Sequence, residues 1–213
     1  AKLSGGLVAR RARAGETVLA LNGKTYTLSA EMTVIADDAH VHDIGGIMGG
    51  MNSGVSEATT EVLVEAAWFD PVRIGETGRA LGLTSDARAR FERGADPAFV
   101  EPGLNLAVQM MLELCGGTAS EILKSGEPPL AVKTVSFNPA LTKALGGLDV
   151  AEAEQREILA KLGFGVATGA APWAVTVPSW RRDVDGAADL VEEIVRLHGL
   201  DKVQSVPLPR AEG

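Results

Sequence analysis

The chain has 213 residues and a formal net charge of −8, from 20 Lys and Arg against 28 Asp and Glu. That balance excludes indiscriminate binding to nucleic acid or to an anionic membrane, both of which need a summed positive field. A single cysteine, Cys115, excludes an internal disulfide and a thiolate zinc site and reads as a small buried core residue. No apolar run approaches the roughly 18–20 residues of a membrane span and the start has no signal-peptide core, so the expectation is a cytoplasmic chain with no membrane partner. With 46% hydrophobic residues the chain can bury one large core or two small ones. It begins at Ala1 without Met and reads as an excised piece of a longer protein.

In chain order, "GLVARRA" and "ETVLALNGKTYTL" alternate as strands do, and Asn22-Gly23 between two such runs predicts a hairpin. "MTVIADD" is a further strand, and His40 and His42 after it read as surface-loop residues. "DIGGIMGGMNSG", residues 43–54, then places five glycines in twelve residues, too much backbone freedom for a plain strand. A turn, a pocket wall and a phosphate-cradling loop are the readings open here. The last lacks both GxxxxGK[ST] and a GxGxxG opening a helix.

"TEVLVEAAWFDP", residues 60–71, reads as a strand closed by Asp70 and Pro71. Glu65 then shares a face with Leu63, Ala67 and Phe69. A solvated strand face, or pairing with one of the arginines that follow, accounts for such a glutamate without invoking function. Pro71 starts a helix ending at Gly82, and a second short helix takes Ser85 or Asp86 as its N-cap and stops at Gly94. The arginines there read as helix-surface ion pairs, Arg88 with Glu92 at i,i+4 among them. "AFVEPGLNLAVQMMLELCGG" predicts a longer apolar helix serving as core scaffolding, Met110 and Met111 included.

"SGEPPLAVK" has linker chemistry. The predicted division is a domain over 1–125, a linker over 126–131, a small domain over 132–206 and a tail over 207–213. The second domain should hold a strand at "TVSF", a helix from Asn138-Pro139, a helix over roughly 150–162, short strands near "FGVAT" and "WAVTVPS", and a last helix over about 183–198. The fold class expected is α+β, with a mixed sheet packed by helices followed by the small α+β domain. In the last helix Asp189, Glu192 and Glu193 lie at i, i+3 and i+4, with Asp183 before them. Such a group is a solvated face, a complement to the helix dipole, or an all-oxygen cation site suited to Mg²⁺.

The stretches "GGIMGG…SGVSEATTEVLVEAAWFDPVRIGETGRALGLTSDARARFERGADP" and "PSWRRDVDGAADLVEEIVRLHGLDKV" together resemble the β subunit of bacterial phenylalanyl-tRNA synthetases. The likeness covers essentially the whole chain. It implies that the first domain is most of an editing domain and that the second is similar to winged-helix nucleic-acid binders. The implied activity is hydrolysis of tyrosine wrongly esterified to the phenylalanine tRNA, with Glu65 accepting a hydrogen bond from the tyrosine hydroxyl. A carboxylate in an apolar pocket favours a ligand that brings a donor.

The resemblance further implies that Gly45, Gly46, Ser85 and Ala87 line the editing pocket, with serine at position 85 where the family has threonine. It implies Mg²⁺ on Asp183, Asp189, Glu192 and Glu193 at the junction with a catalytic α subunit, in an α2β2 heterotetramer whose ATP site lies on that partner. Arg181 and Arg182 beside Trp180 would serve subunit or RNA contact. The family's histidine-bearing stretch, of the type "LHAFD", would fall before Ala1, so the expectation is a piece that binds tyrosine without cleaving the ester well. No catalytic nucleophile is visible, and a non-catalytic module docking the α subunit or RNA is the alternative.

Overall fold

In the computed structural model, which describes residues 3–205 and 207, the chain divides into two units, Ala1–Pro128 and Pro129–Gly213. The first is built on an antiparallel sheet of β1 (Val8–Arg11), β4 (Thr33–Ala36), β5 (Val41–Ile44) and β6 (Met48–Gly49), in that spatial order. Between β1 and β4 the chain makes a separate hairpin of β2 (Thr17–Leu19) and β3 (Thr25–Thr27). Its turn is the predicted one. Gly23 takes φ +77°, and the Asn22 side-chain oxygen accepts from the Lys24 N–H at 3.1 Å. Val34, Ile44, Ile47, Leu28 and Leu83 are completely or almost completely buried and centre the core of this unit.

Residues 60–69 correct the sequence reading, because they form no strand. The segment runs without ladder partners, and its apolar residues have another role. Ala67 and Phe69 pack on the core, while Leu63 and Glu65, on the same period-2 face, line an open cleft.

Helix α1 (Pro71–Leu81) has Asp70 as N-cap, accepting from the N–H groups of Val72 and Arg73 at 2.9 and 3.1 Å. Proline at its first position and Gly82 at φ +57° complete a helix whose two ends are both written locally. Helix α2 (Asp86–Phe91) is capped by Ser85, and Arg88 pairs with Glu92 at 3.0 Å as expected.

Helix α3 (Val100–Cys115) forms where predicted, but it is not core scaffolding. None of its residues is buried, Met110 and Met111 are 51% and 41% exposed, and Cys115 is an exposed thiol. The core of this unit closes around the sheet and Ile74 without it.

The second unit orders β7 (Lys133–Phe137), β9 (Trp173–Val177) and β8 (Gly165–Val166) into an antiparallel sheet covered by helices. These are α4 (Leu141–Gly146), α5 (Glu152–Lys161) and α6 (Ala187–Gly199). Leu190, Val191, Ile194 and Val195 give α6 a buried stripe of helical period, packed with Phe137, Leu159 and Trp173. Buried Gln155 is fully used: it accepts from Thr142 Oγ1 at 2.8 Å and donates to the carbonyls of Val150 and Pro139 at 2.8 and 3.3 Å. Arg156 stacks over Trp173, 3.7 Å from the ring centroid. Across the described residues the architecture is α+β, as expected.

Candidate functional site

Strand β5 sets the site. Asp43 stands opposite Ile35 on β4 and Gly49 on β6, and both Asp43 and Ile35 open onto a cleft of about 720 Å³ in the first unit. The other walls come from residues 53–65, with Val62, Leu63 and Glu65 at one side and Ser53 and Thr59 among the hydroxyl groups. Among the described residues that line it there is no lysine and no arginine. The cleft is therefore part apolar and part acidic.

Its two central carboxyls differ. Burial, and then repulsion from Glu65, push the Asp43 carboxyl up to about 7, and its Oδ1 is sealed from solvent with no hydrogen-bond partner. Glu65 is also raised by desolvation, but as a residue it is exposed, so the effect on it is the weaker of the two. Glu61 also lines the cleft.

His42 corrects the expectation of a surface-loop residue, whereas His40 is exposed outside the strands as expected. His42 lies in β5, is 6% exposed and borders the cleft. Its Nε2 stands 2.7 Å from Asp37 Oδ2, an ion-pair contact outside hydrogen-bond geometry, and its Nδ1 has no partner. Asp37 also accepts from the N–H groups of Ser4, Ala39 and His40, and its carboxyl is held below the usual carboxylate range, first of all by His42.

Of the expected pocket residues, only Glu65 is among those that line this cleft. Gly45 and Gly46 form the β5–β6 turn under Phe69: a Cβ on either would come within 2.8 Å of that ring. Gly46 also needs φ +68°, which glycine alone adopts without cost. Ser85 joins the same group, donating from Oγ to the Ile47 carbonyl at 2.6 Å while capping α2, and Ala87 is half-buried in α2. The chain thus brings Gly45, Gly46 and Ser85 together around Phe69 and Ile47, apart from the residues that line the cleft with Glu65. Asp43 was not singled out by the sequence reading. Its signal is an acidic residue at period 2 from Val41, which is 6% exposed.

In the second unit three of the four expected metal ligands, Asp183, Asp189 and Glu193, are engaged with the chain itself. Asp183 takes two hydrogen bonds from Arg181, at 2.8 and 2.6 Å. Glu193, 7% exposed, accepts from Arg181 at 2.8 Å and from Arg196 at 2.5 Å. Asp189 Oδ2 accepts from the N–H groups of Asp185 and Gly186 at 2.7 and 2.8 Å at the start of α6, and Glu192 is exposed. No group of three His, Cys, Asp or Glu able to hold a metal gathers among the described residues. A guanidinium stands where a cation would be needed, so this arrangement does not fit a metal ion.

With that geometry in place, comparison with known proteins identifies the class: the chain belongs to the B3/4 domain family, which matches residues 1–116. Residues 135–200 match the tRNA synthetase B5 domain. The chain is 62% identical over its whole length to the phenylalanine–tRNA ligase β subunit of Novosphingobium aromaticivorans. It is 50% identical over 99% of its length to the β subunit of Zymomonas mobilis. It spans 26% of the length of each of these relatives. A crystal structure of an N-terminal fragment of the phenylalanyl-tRNA synthetase β subunit from Pyrococcus horikoshii aligns over 91% of this chain and 56% of that one, at 16% identity and a TM-score of 0.42. No helix among the described residues is long and apolar enough to cross a membrane.

Proposed function

We propose that the first unit is a proofreading module that hydrolyses tyrosine mis-esterified to the phenylalanine tRNA, and that Glu65 recognises the tyrosine hydroxyl. The observation that carries this reading is the position of Glu65: a carboxyl that lines a cleft with Leu63, Val62 and Ile35 and without lysine or arginine, its proton affinity raised by desolvation. Such a group gains most from a ligand that brings a hydrogen-bond donor to it, which tyrosine does and phenylalanine does not. A phenylalanine-selecting pocket discriminates only modestly against an analogue that adds a hydroxyl, which is the reason a second, hydrolytic check is useful. Gly45, Gly46, Ser85 and Ala87, which do not line this cleft, belong to the reading as a second part of the pocket, supported by the contacts of Gly45 and Gly46 with Phe69 and of Ser85 with Ile47. Hydrolysis relies on positioning water and the tRNA's own ribose hydroxyl more than on an acid–base pair.

The relatives' name, phenylalanine–tRNA ligase β subunit, supports a wider reading of the same proposal. The chain works as part of an aminoacyl-tRNA ligase in the cytoplasm, with an α subunit that supplies the ATP site, in an α2β2 assembly. Mg²⁺ at α6 would require Arg181 to turn away and ligands from outside the unit.

The test is NMR titration of the chain with tyrosine and with phenylalanine, repeated on Glu65→Ala, beside hydrolysis assays on tyrosine esterified to the phenylalanine tRNA. Tyrosine-selective shifts that disappear in the variant support the reading. Equal responses to the two amino acids overturn it.

A second reading, assembly with the α subunit or RNA, is favoured by one observation: α3 leaves Leu106, Met110, Met111 and Leu114 exposed on a single helix. It describes a different surface and is compatible with the first.

A further inference from the structure

The cleft holds a second carboxyl that the proposed reaction does not yet use. Asp43 faces it from β5, with one oxygen sealed and unpartnered, and Glu65 faces it from the segment opposite. The titratable groups around Asp43 are Glu65 and Glu61, which line the same cleft, His42 beside it on β5, and Asp37 in contact with His42, with no lysine or arginine among the described lining. Two carboxyls close enough to repel, one of them largely desolvated, in a cleft without lysine or arginine, favour holding one proton between them. The more buried of the two keeps it. Burial and repulsion both act on Asp43, which reaches about 7.

We propose that Asp43 is a specificity-determining residue: in its protonated form it donates a hydrogen bond to the same hydroxyl oxygen whose proton is accepted by Glu65. One carboxylic acid and one carboxylate form a donor–acceptor pair, and the ligand group that satisfies both at a single oxygen is a hydroxyl. An ammonium only donates, and a ring C–H does neither. The pair therefore reads a phenolic side chain against its unsubstituted analogue from both sides. When Asp43 ionises, the cleft loses its donor, and two carboxylates then favour a cation. This inference rests on the proofreading reading and adds a pH dependence to it.

The experiment measures tyrosine and phenylalanine affinity for the 213-residue chain across the range from about pH 5.5 to 8.5, for the parent, Asp43→Asn, Asp43→Ala and Glu65→Gln. Taking the ratio of the two affinities cancels the ammonium and carboxylate that both ligands carry. The expected result is a tyrosine preference in the parent that falls by about tenfold above pH 7 as Asp43 loses its proton. Asp43→Asn, which keeps a donor at every pH, should retain the preference without the fall, and Asp43→Ala should lose it throughout. A merely structural role for Asp43 would move stability and leave this profile unchanged.

A tyrosine preference that depends on Glu65 but is flat across the range, and unchanged in Asp43→Ala, overturns this inference and leaves the proofreading reading standing. No tyrosine preference at any pH overturns both. Binding of both amino acids that tightens as pH rises makes the pair an ammonium site, and that too overturns the inference.

Discussion

Arg181 reaches Glu193 across the start of α6, Nη2 to Oε1 at 2.8 Å, and the same guanidinium holds Asp183. The contact lifts the Arg181 proton affinity, through Asp183 first and Glu193 second, and lowers that of Asp183. Glu193 is also lowered: its burial opposes ionisation, and the bonds from Arg181 and Arg196 outweigh it. Removing Arg181 leaves a buried carboxylate with Arg196 as its remaining partner.

Arg181→Ala is expected to cost about 1–3 kcal/mol by urea denaturation. Millimolar Mg²⁺ should leave the melting temperature of both the parent chain and Arg181→Ala unchanged, because Glu193 keeps Arg196 and the unit lacks a full ligand set among its described residues. Stabilisation of the parent by Mg²⁺ would mean that the guanidinium yields to a metal.

Gly46→Ala should destabilise the first unit. The left-handed backbone costs an alanine about 1–2 kcal/mol, and the new Cβ, 2.8 Å from Phe69 Cδ2 and 3.0 Å from Ile74 Cδ1, adds overpacking. A double variant with Phe69→Leu should recover the packing part and not the backbone part. Full recovery would show that the φ of Gly46 is not a constraint.

Gln155→Leu should cost about 1–3 kcal/mol, because it strands the Thr142 hydroxyl and the Val150 carbonyl in the interior of the second unit. Thr142→Val combined with Gln155→Leu should cost less than the sum of the two single changes, since each alone leaves the other's polar group unpaired. Additive costs would deny that the two side chains act as one network.

These elements differ in how far the sequence exposes them. Asn22-Gly23, Asp70-Pro71 and Ser85 are legible because each acts on its own neighbours in the chain, through a positive φ or a cap. The segment 60–69 is misleading because apolar, β-branched and aromatic residues suit a coil that passes from a cleft to a core as well as they suit a strand. The apolar content of α3 says that a helix forms, but not what covers it. Of the site, Glu65 is visible as a charge inside an apolar run. Asp43 is hidden beside the glycine-rich turn, because its partner in the cleft is 22 positions away and no local pattern joins them.

The raised proton affinity of Asp43 also has a consequence for folding that needs no ligand. The carboxyl moves from its ordinary 3.8 to about 7 in the folded chain, so the folded state binds more protons than the unfolded state between those values. The contribution of this group is therefore fully present below about pH 4 and is lost as pH rises through about 7. Asp43→Asn, which does not titrate, should be stabilised relative to the parent at pH 8 and show the smallest relative gain near pH 4. Glu65→Gln should recover part of the same gain by removing the repulsion while leaving the desolvation, which is the larger cause. Paired urea denaturations at the two pH values measure this directly. A difference between parent and Asp43→Asn that does not change with pH would place the Asp43 carboxyl in the ordinary range and remove the electrostatic basis of the acid pair.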